Sequence, residues 1–341
     1  MENGTEVESF VNPWLGRSRT ALVLTVSVLF VTGVAGNLLV MIVSIMNSFH
    51  KTTANIFILN LAVADLLASC GFAFMLSSLL QGEWPLGDFA CKLHGVLVMA
   101  FSVASSLSAS AMSINRYTTI TYASKQKSIT FTRNWTKIML AFLWLFSAIF
   151  AILPLVGWSR YTYFPAKAIC FISYTESRSY IITFYTLVAP CCLVTIFCYS
   201  RIYIAIKKNS PMRVASPSQK RKPSPRKPDS NSAVETRVTI MIFVVVFWYF
   251  TSLAPFNVIN LMVIWKPGFQ IPPWVDILTT LFALSNHATN VFIYAVLNRT
   301  YRLAIRKLLK QAWGFVNGKG KRIGVTSSSK IPLRCIRSNA A

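Results

Sequence analysis

Two charged residues stand where so apolar a sequence has least use for them. Asp65 is the only acid in window 52–82, which otherwise lacks Asp, Glu, Lys and Arg. Arg116 closes a second uncharged window, 93–115, and is preceded by Asn115 rather than an acid in Ser113-Ile114-Asn115-Arg116-Tyr117. A carboxylate near the middle of a membrane is costly unless paired, so Asp65 marks a candidate polar site. Its alternative is a protonated, hydrogen-bonded packing acid. An arginine at the end of an apolar run reaches water or headgroups, either as a snorkelling anchor or as half of an ion pair. Catalysis has no comparable footing. His50, His94 and His287 are scattered without metal-ligand spacing, and no phosphate-binding glycine motif occurs. His94 reads as a residue of a pocket mouth and His287 as a packed, hydrogen-bonded helix residue.

The elements that position these groups follow from composition. Of 341 residues, 54% are hydrophobic and 13% charged, where soluble domains carry roughly a quarter charged residues. One soluble core of this length cannot hide that much apolar surface. A bilayer core of about 30 Å needs roughly 20 apolar helical residues. Uncharged windows of that order recur at 20–50, 93–115, 138–159, 179–200, 238–265 and 277–298, with 52–82 interrupted only by Asp65. The expected fold is therefore an all-α membrane protein, a seven-transmembrane helix bundle. Nothing before residue 20 resembles a cleavable signal peptide, so the first span is expected to direct its own insertion.

Basic residues set the orientation. With the N-terminus outside, Lys and Arg collect on the cytoplasmic side, leaving only Arg17, Arg19, Lys92, Arg160, Lys167, Arg178 and Lys266 outside. The net charge of +24 is thus a cytoplasmic feature, suited to anionic membrane lipids and acidic protein surfaces. Nucleic-acid binding is excluded because the charges flank membrane spans. A multi-pass protein of the plasma membrane with an extracellular segment 1–19 follows. Asn3, in Asn3-Gly4-Thr5, is the outward glycosylation acceptor, while the acceptor patterns at Asn134 and Asn298 face the cytosol and are discarded.

Within the bundle, 20–298, the inner loop 207–233 is rich in Ser, Pro, Lys and Arg and reads as disordered, with Ser-Pro pairs at Ser210, Ser216 and Ser224. Residues 299–313 place Tyr301, Ile305, Leu308, Leu309 and Ala312 near one helical face, with Arg302, Arg306, Lys307 and Lys310 around the rest. That is an interfacial amphipathic helix, or, as runner-up, a calmodulin-type target. The tail, 314–341, reads as disordered and carries phosphate acceptors at 326–329.

Cys70, Cys191, Cys192 and Cys198 fall inside apolar spans as packing residues, and Cys335 lies in the basic tail. Cys91 and Cys170 are the two that fall on the oxidising side. A bridge between them would pin the second outer loop across the bundle mouth.

A family resemblance spans roughly residues 20–313. Its marks arrive in helix order: Gly36-Asn37, Leu-Ala-Val-Ala-Asp ending at Asp65, Trp84 with Gly87, Cys91, Arg116-Tyr117, Trp144, Pro190 and Tyr199, Pro255, and Asn290 with Tyr294. The chain resembles the rhodopsin-like (class A) G-protein-coupled receptors. Gly157-Trp158-Ser159-Arg160-Tyr161 looks opsin-like, whereas Asn115-Arg116-Tyr117 and Ala254-Pro255-Phe256-Asn257 look like melatonin receptors. The sequence departs from the family pattern at Asn115 (usually an acid), Leu253 (commonly Trp), Tyr249 (Phe) and Val291 (Pro), all within the activation machinery.

The resemblance implies a non-enzymatic receptor that converts binding of a small, uncharged ligand into activation of a heterotrimeric G-protein. Arrestin and receptor kinases are implied as further partners. Coupling residues would be Asn115, Arg116, Tyr117, Tyr199, Tyr294 and Glu235. Glu235 matches the family position that pairs with this arginine. Asn115 supplies no carboxylate and removes a competing local partner, so closure is expected to rest mainly on Arg116–Glu235. Asp65 with Ser105, Asn286 and Asn290 resembles the family's sodium pocket, whose oxygens suit a hard cation. The ligand pocket would be lined by His94, Val98, Met99, Ser102, Thr183, Thr186, Phe256, Asn257, Thr280 and Leu284. Val98 stands in place of the acid that captures amines. Leu284 stands where opsins carry the retinal lysine, so no covalent cofactor is expected. Two other readings are a receptor that signals without ligand or has lost signalling, and a seven-span transporter.

Overall fold

The structure, a computed structural model, describes residues 17–47, 52–121, 132–174, 176, 178–208, 230–266 and 268–316. Each apolar window forms a helix, since in lipid a backbone must satisfy its own hydrogen bonds. Seven helical spans are long and apolar enough to cross a membrane. The helices are α1 (Arg17–Met46), α2 (Thr53–Cys70) with α3 (Phe72–Gln81), α4 (Gly87–Thr121), α5 (Arg133–Ile152), α6 (Arg178–Lys208), α7 (Ser230–Trp265) and α8 (Pro273–Leu297). A ninth helix, α9 (Arg299–Val316), follows α8.

Local chemistry sets the ends and breaks. Thr52 and Thr132 accept from the backbone N–H three residues on, capping α2 and α5. The second span, expected as one rod, divides at Gly71. There the Gly71 N–H donates to Ala68 O at 3.0 Å, a tighter turn than the α-helical one. A Cβ on Gly71 would stand 2.9 Å from that same carbonyl oxygen, so the turn needs glycine.

On α5, Ile138, Phe142, Leu145 and Ile149 are exposed at intervals of four, three and four, forming one outward stripe, while Leu140, Ser147 and Phe150 are buried. Such a stripe suits lipid. α4 is buried on most of its surface, with Ala104, Ser105, Ser106, Ala109 and Ser113 letting neighbouring backbones approach closely. It packs on α2, α5 and α6 and under an outer hairpin.

That hairpin pairs β1 (Tyr161–Phe164) antiparallel with β2 (Ile169–Ile172), with Tyr163 opposite Cys170. It is an addition to the all-helical expectation. The Cys91–Cys170 disulfide fixes β2 to α4. A Cβ on Gly95 would fall 2.6 Å from Tyr161 Cγ, so glycine there lets the hairpin lie against α4. Buried residues form an inner cluster around Phe57, Met112, Met241 and Tyr294 and an outer one around Met75, Met99, Phe171 and Phe184.

α9 extends three residues beyond the expected 299–313. Its buried side holds Tyr301, Ala304 and Ile305, while Leu309 is exposed beside Arg306, Lys307 and Lys310. Tyr301 Oη lies 2.8 Å from Ser44 Oγ, tying α9 to α1. The inner loop expected over 207–233 is helical at both ends, since α6 runs to Lys208 and α7 begins at Ser230; its residues 209–229, Asn3, the Ser-Pro pairs and the tail beyond 316 lie outside the described residues.

Candidate functional site

Three polar centres sit along the bundle. The outermost is a cavity beneath the hairpin. Its wall includes the expected His94, Val98, Met99, Ser102, Phe256, Asn257, Thr280 and Leu284. Thr183 and Thr186 are not part of it. Their hydroxyls donate to Ser179 O (2.8 Å) and Ile182 O (3.0 Å) on their own helix, and Phe184 and Val188 present α6 to the cavity instead.

The sequence reading also missed Phe72, Met75, Ile169, Phe171, Tyr249 and His287, all on the wall. Phe171 follows Cys170, so the disulfide itself was the signal that a neighbour would hang over the mouth. His94 Nδ1 lies 3.2 Å from Cys170 O.

The second centre is Asp65, fully buried. Nδ1 of His287 lies 2.8 Å from its Oδ1, and Asn290 Nδ2 donates to its Oδ2 at 2.6 Å. His287 thus holds a partner the sequence did not assign to it. Asn37 Nδ2 donates to the His287 backbone oxygen at 2.8 Å, so α1 holds this part of α8 in place.

Ser105 Oγ, Asn286 Oδ1 and Asn290 Oδ1 are buried without a hydrogen-bond partner among the described residues. Ser105 and Asn290 line one small cavity with Tyr249. Unpartnered oxygens, one of them on the Asn290 that binds the Asp65 carboxylate, are the donor type a hard cation takes, so these residues fit sodium. His287 already occupies one carboxylate oxygen.

The departures from the family pattern have structural partners. Tyr249 Oη lies 2.7 Å from Ser106 Oγ and donates to Ser102 O at 3.2 Å, bridging α7 to α4. Val291 meets Gly36, where a Cβ would fall 2.6 Å from Val291 Cγ1, so α1 and α8 touch closely there. Trp144 Nε1 donates to Asn60 Oδ1 (2.8 Å), and Asn60 Nδ2 donates to Ser108 Oγ (3.1 Å), joining α5, α2 and α4.

The innermost centre is Arg116, buried at the end of α4. Its Nη2 donates to Asn115 Oδ1 at 2.8 Å. This corrects the expectation that asparagine removes the local partner, because an amide oxygen still accepts, without charge. Tyr199 and Tyr294 are buried in the inner cluster, and Tyr117 packs edge-on to Phe197. The Glu235 side chain lies outside the described residues.

A family model described as "7 transmembrane receptor (rhodopsin family)" matches residues 36–294. A rhodopsin from Loligo forbesii is 29% identical over 282 residues, covering 80% of this chain and 62% of that protein. The chain therefore spans less than two thirds of that relative. A melatonin receptor type 1B-A from Danio rerio is 31% identical over 255 residues, 73% of this chain and 84% of the receptor. The crystal structure of squid rhodopsin shares the fold, with a TM-score of 0.76 at 24% identity, covering 91% of this chain and 92% of that one. A transporter reading gives way to these matches. The chain belongs to the rhodopsin family of seven-transmembrane receptors, the class A G-protein-coupled receptors, which are signalling receptors and not enzymes.

Proposed function

We propose that this receptor binds a small, uncharged ligand in the cavity beneath the hairpin and thereby activates a heterotrimeric G-protein at the inner end of α4. One observation carries the reading: no Asp, Glu, Lys or Arg lines that cavity among the described residues. A charged ligand would lose its water there without a countercharge. Ser102, Asn257, Thr280 and the two histidines supply the few polar groups that orient an apolar guest. Leu284 offers no amine to a retinal aldehyde, so the guest is held without a covalent bond. Two of the relatives are named as melatonin receptors, which makes melatonin the first probe.

Activation then frees Arg116 from Asn115 and opens the inner face. Asp65, Ser105, Asn286 and Asn290 hold sodium in the resting state, a charge that steadies the buried carboxylate. The receptor sits in the plasma membrane with Asn3 outside and the basic side of α9 against anionic inner-leaflet lipids. Arrestin and receptor kinases act at the cytoplasmic face.

The test is nucleotide exchange on a panel of heterotrimeric G-proteins, with the receptor in lipid vesicles. It is run first without ligand and then with melatonin, retinoids and lipids. Exchange raised by an uncharged compound, and lost when Ser102 or Asn257 is replaced by a bulky residue, is the expected result. Exchange no greater than with receptor-free vesicles under every condition would reject the proposal.

A further inference from the structure

Lys167 is a buried lysine that the ligand reading does not use. It sits in the turn between β1 and β2, with its side chain 2% exposed, and pairs with Asp276 in the first turn of α8. Three aromatic rings face its ammonium: Phe164 at 5.8 Å, Tyr174 at 5.8 Å and Phe256 at 5.7 Å, measured to their centroids. The rings come from the hairpin, from the segment after it and from α7. Tyr174 is fixed by its hydroxyl, which donates to Asn260 Oδ1 at 2.6 Å. Burial pushes the Lys167 ammonium below its ordinary range, and the Asp276 carboxylate opposes that shift.

Carboxylate plus aromatic walls is the chemistry by which proteins recognise organic ammonium ions. Charged lysines are rarely buried this far, and only with a paired countercharge. We propose that Asp276, Phe164, Tyr174 and Phe256 form an ammonium-binding box, and that Lys167 is its tethered occupant, fastening the hairpin over the cavity. The attached side chain competes at an effective concentration in the millimolar range, as linked ligands do. Free alkylammonium ions therefore bind only when that side chain is gone. The box lies beside the ligand cavity and shares Phe256 with its wall, but an unfolding temperature read without any cavity ligand lets the two readings stand or fall separately.

The test uses the full-length receptor in lipid nanodiscs, with unfolding temperature as the readout, which requires no signalling. Lys167→Ala is expected to unfold roughly 5 °C or more below the wild type, because it strands a buried carboxylate. Adding n-butylammonium chloride at millimolar concentration should restore part of that loss saturably. Sodium chloride at equal concentration should not. The wild type and Lys167→Ala/Asp276→Asn should not respond to the amine.

Rescue absent beyond the salt control, or equal in all three proteins, overturns the proposal. Should Lys167→Ala fail to fold, Lys167→Met keeps the side-chain volume and decides the matter. Lys167→Met/Asp276→Asn must then be more stable than Lys167→Met alone, since the second change removes the stranded charge. A double variant equal to or less stable than the single one overturns the box.

Discussion

His287 joins two centres of the receptor: its Nδ1 lies 2.8 Å from Asp65 Oδ1, while its side chain forms part of the ligand-cavity wall. A ligand that touches this ring touches a direct neighbour of the buried carboxylate. In this chain the outer cavity and the carboxylate site share a residue rather than communicating through intervening packing.

His287→Leu therefore strands Asp65 with Asn290 as its remaining donor among the described residues. Removing one partner of a buried polar pair costs about 3 kcal/mol when the other is charged. The variant should unfold at a lower temperature, and His287→Leu/Asp65→Asn should recover much of the loss. Because the change frees Oδ1, sodium should stabilise His287→Leu more than the wild type when sodium and choline chloride are compared. Identical salt responses in the two proteins would contradict the competition between His287 and sodium.

Arg116 held by a neutral amide predicts graded control of basal signalling. Hydrogen bonds to a charged partner exceed neutral ones by about 1 kcal/mol, roughly fivefold in an equilibrium. Asn115→Asp should lower ligand-independent nucleotide exchange by about that factor, and Asn115→Ala should raise it. Combining Asn115→Ala with Glu235→Ala should raise exchange further than either change alone. If Asn115→Ala leaves basal exchange unaltered, the amide contact has no part in closure.

Tyr249 predicts the cost of loosening α7 from α4. Tyr249→Phe keeps the ring and deletes a hydroxyl that meets Ser106 Oγ and Ser102 O. The loss should be about 1–2 kcal/mol, seen as a lower unfolding temperature together with higher basal exchange. A variant as stable and as quiet as the wild type would mean that the hydroxyl does not restrain α7.

The spans were legible because lipid forces helices, and helices in lipid must be long and uncharged. The windows at 93–115 and 179–200 fall within α4 and α6 for that reason. Topology made Cys91 and Cys170 the candidate pair, as the two cysteines on the oxidising side, and the structure joins them. The rotation of α6 could not be read: Thr183 and Phe184 are adjacent, and which one meets the cavity depends on packing against α4. His287 escaped for a different reason. Its partner lies 222 residues earlier, and helical spacing within α8 does not point to α2. The hairpin was hidden because its strands are four residues each, too short for an alternating pattern to stand out.

The break at Gly71 carries a mechanical consequence. Below it, α2 bears Asp65; above it, α3 bears Phe72 and Met75 on the cavity wall. A guest pressing on the upper arm thus meets a joint before it meets the carboxylate. A methyl group at residue 71 would jam that joint against Ala68.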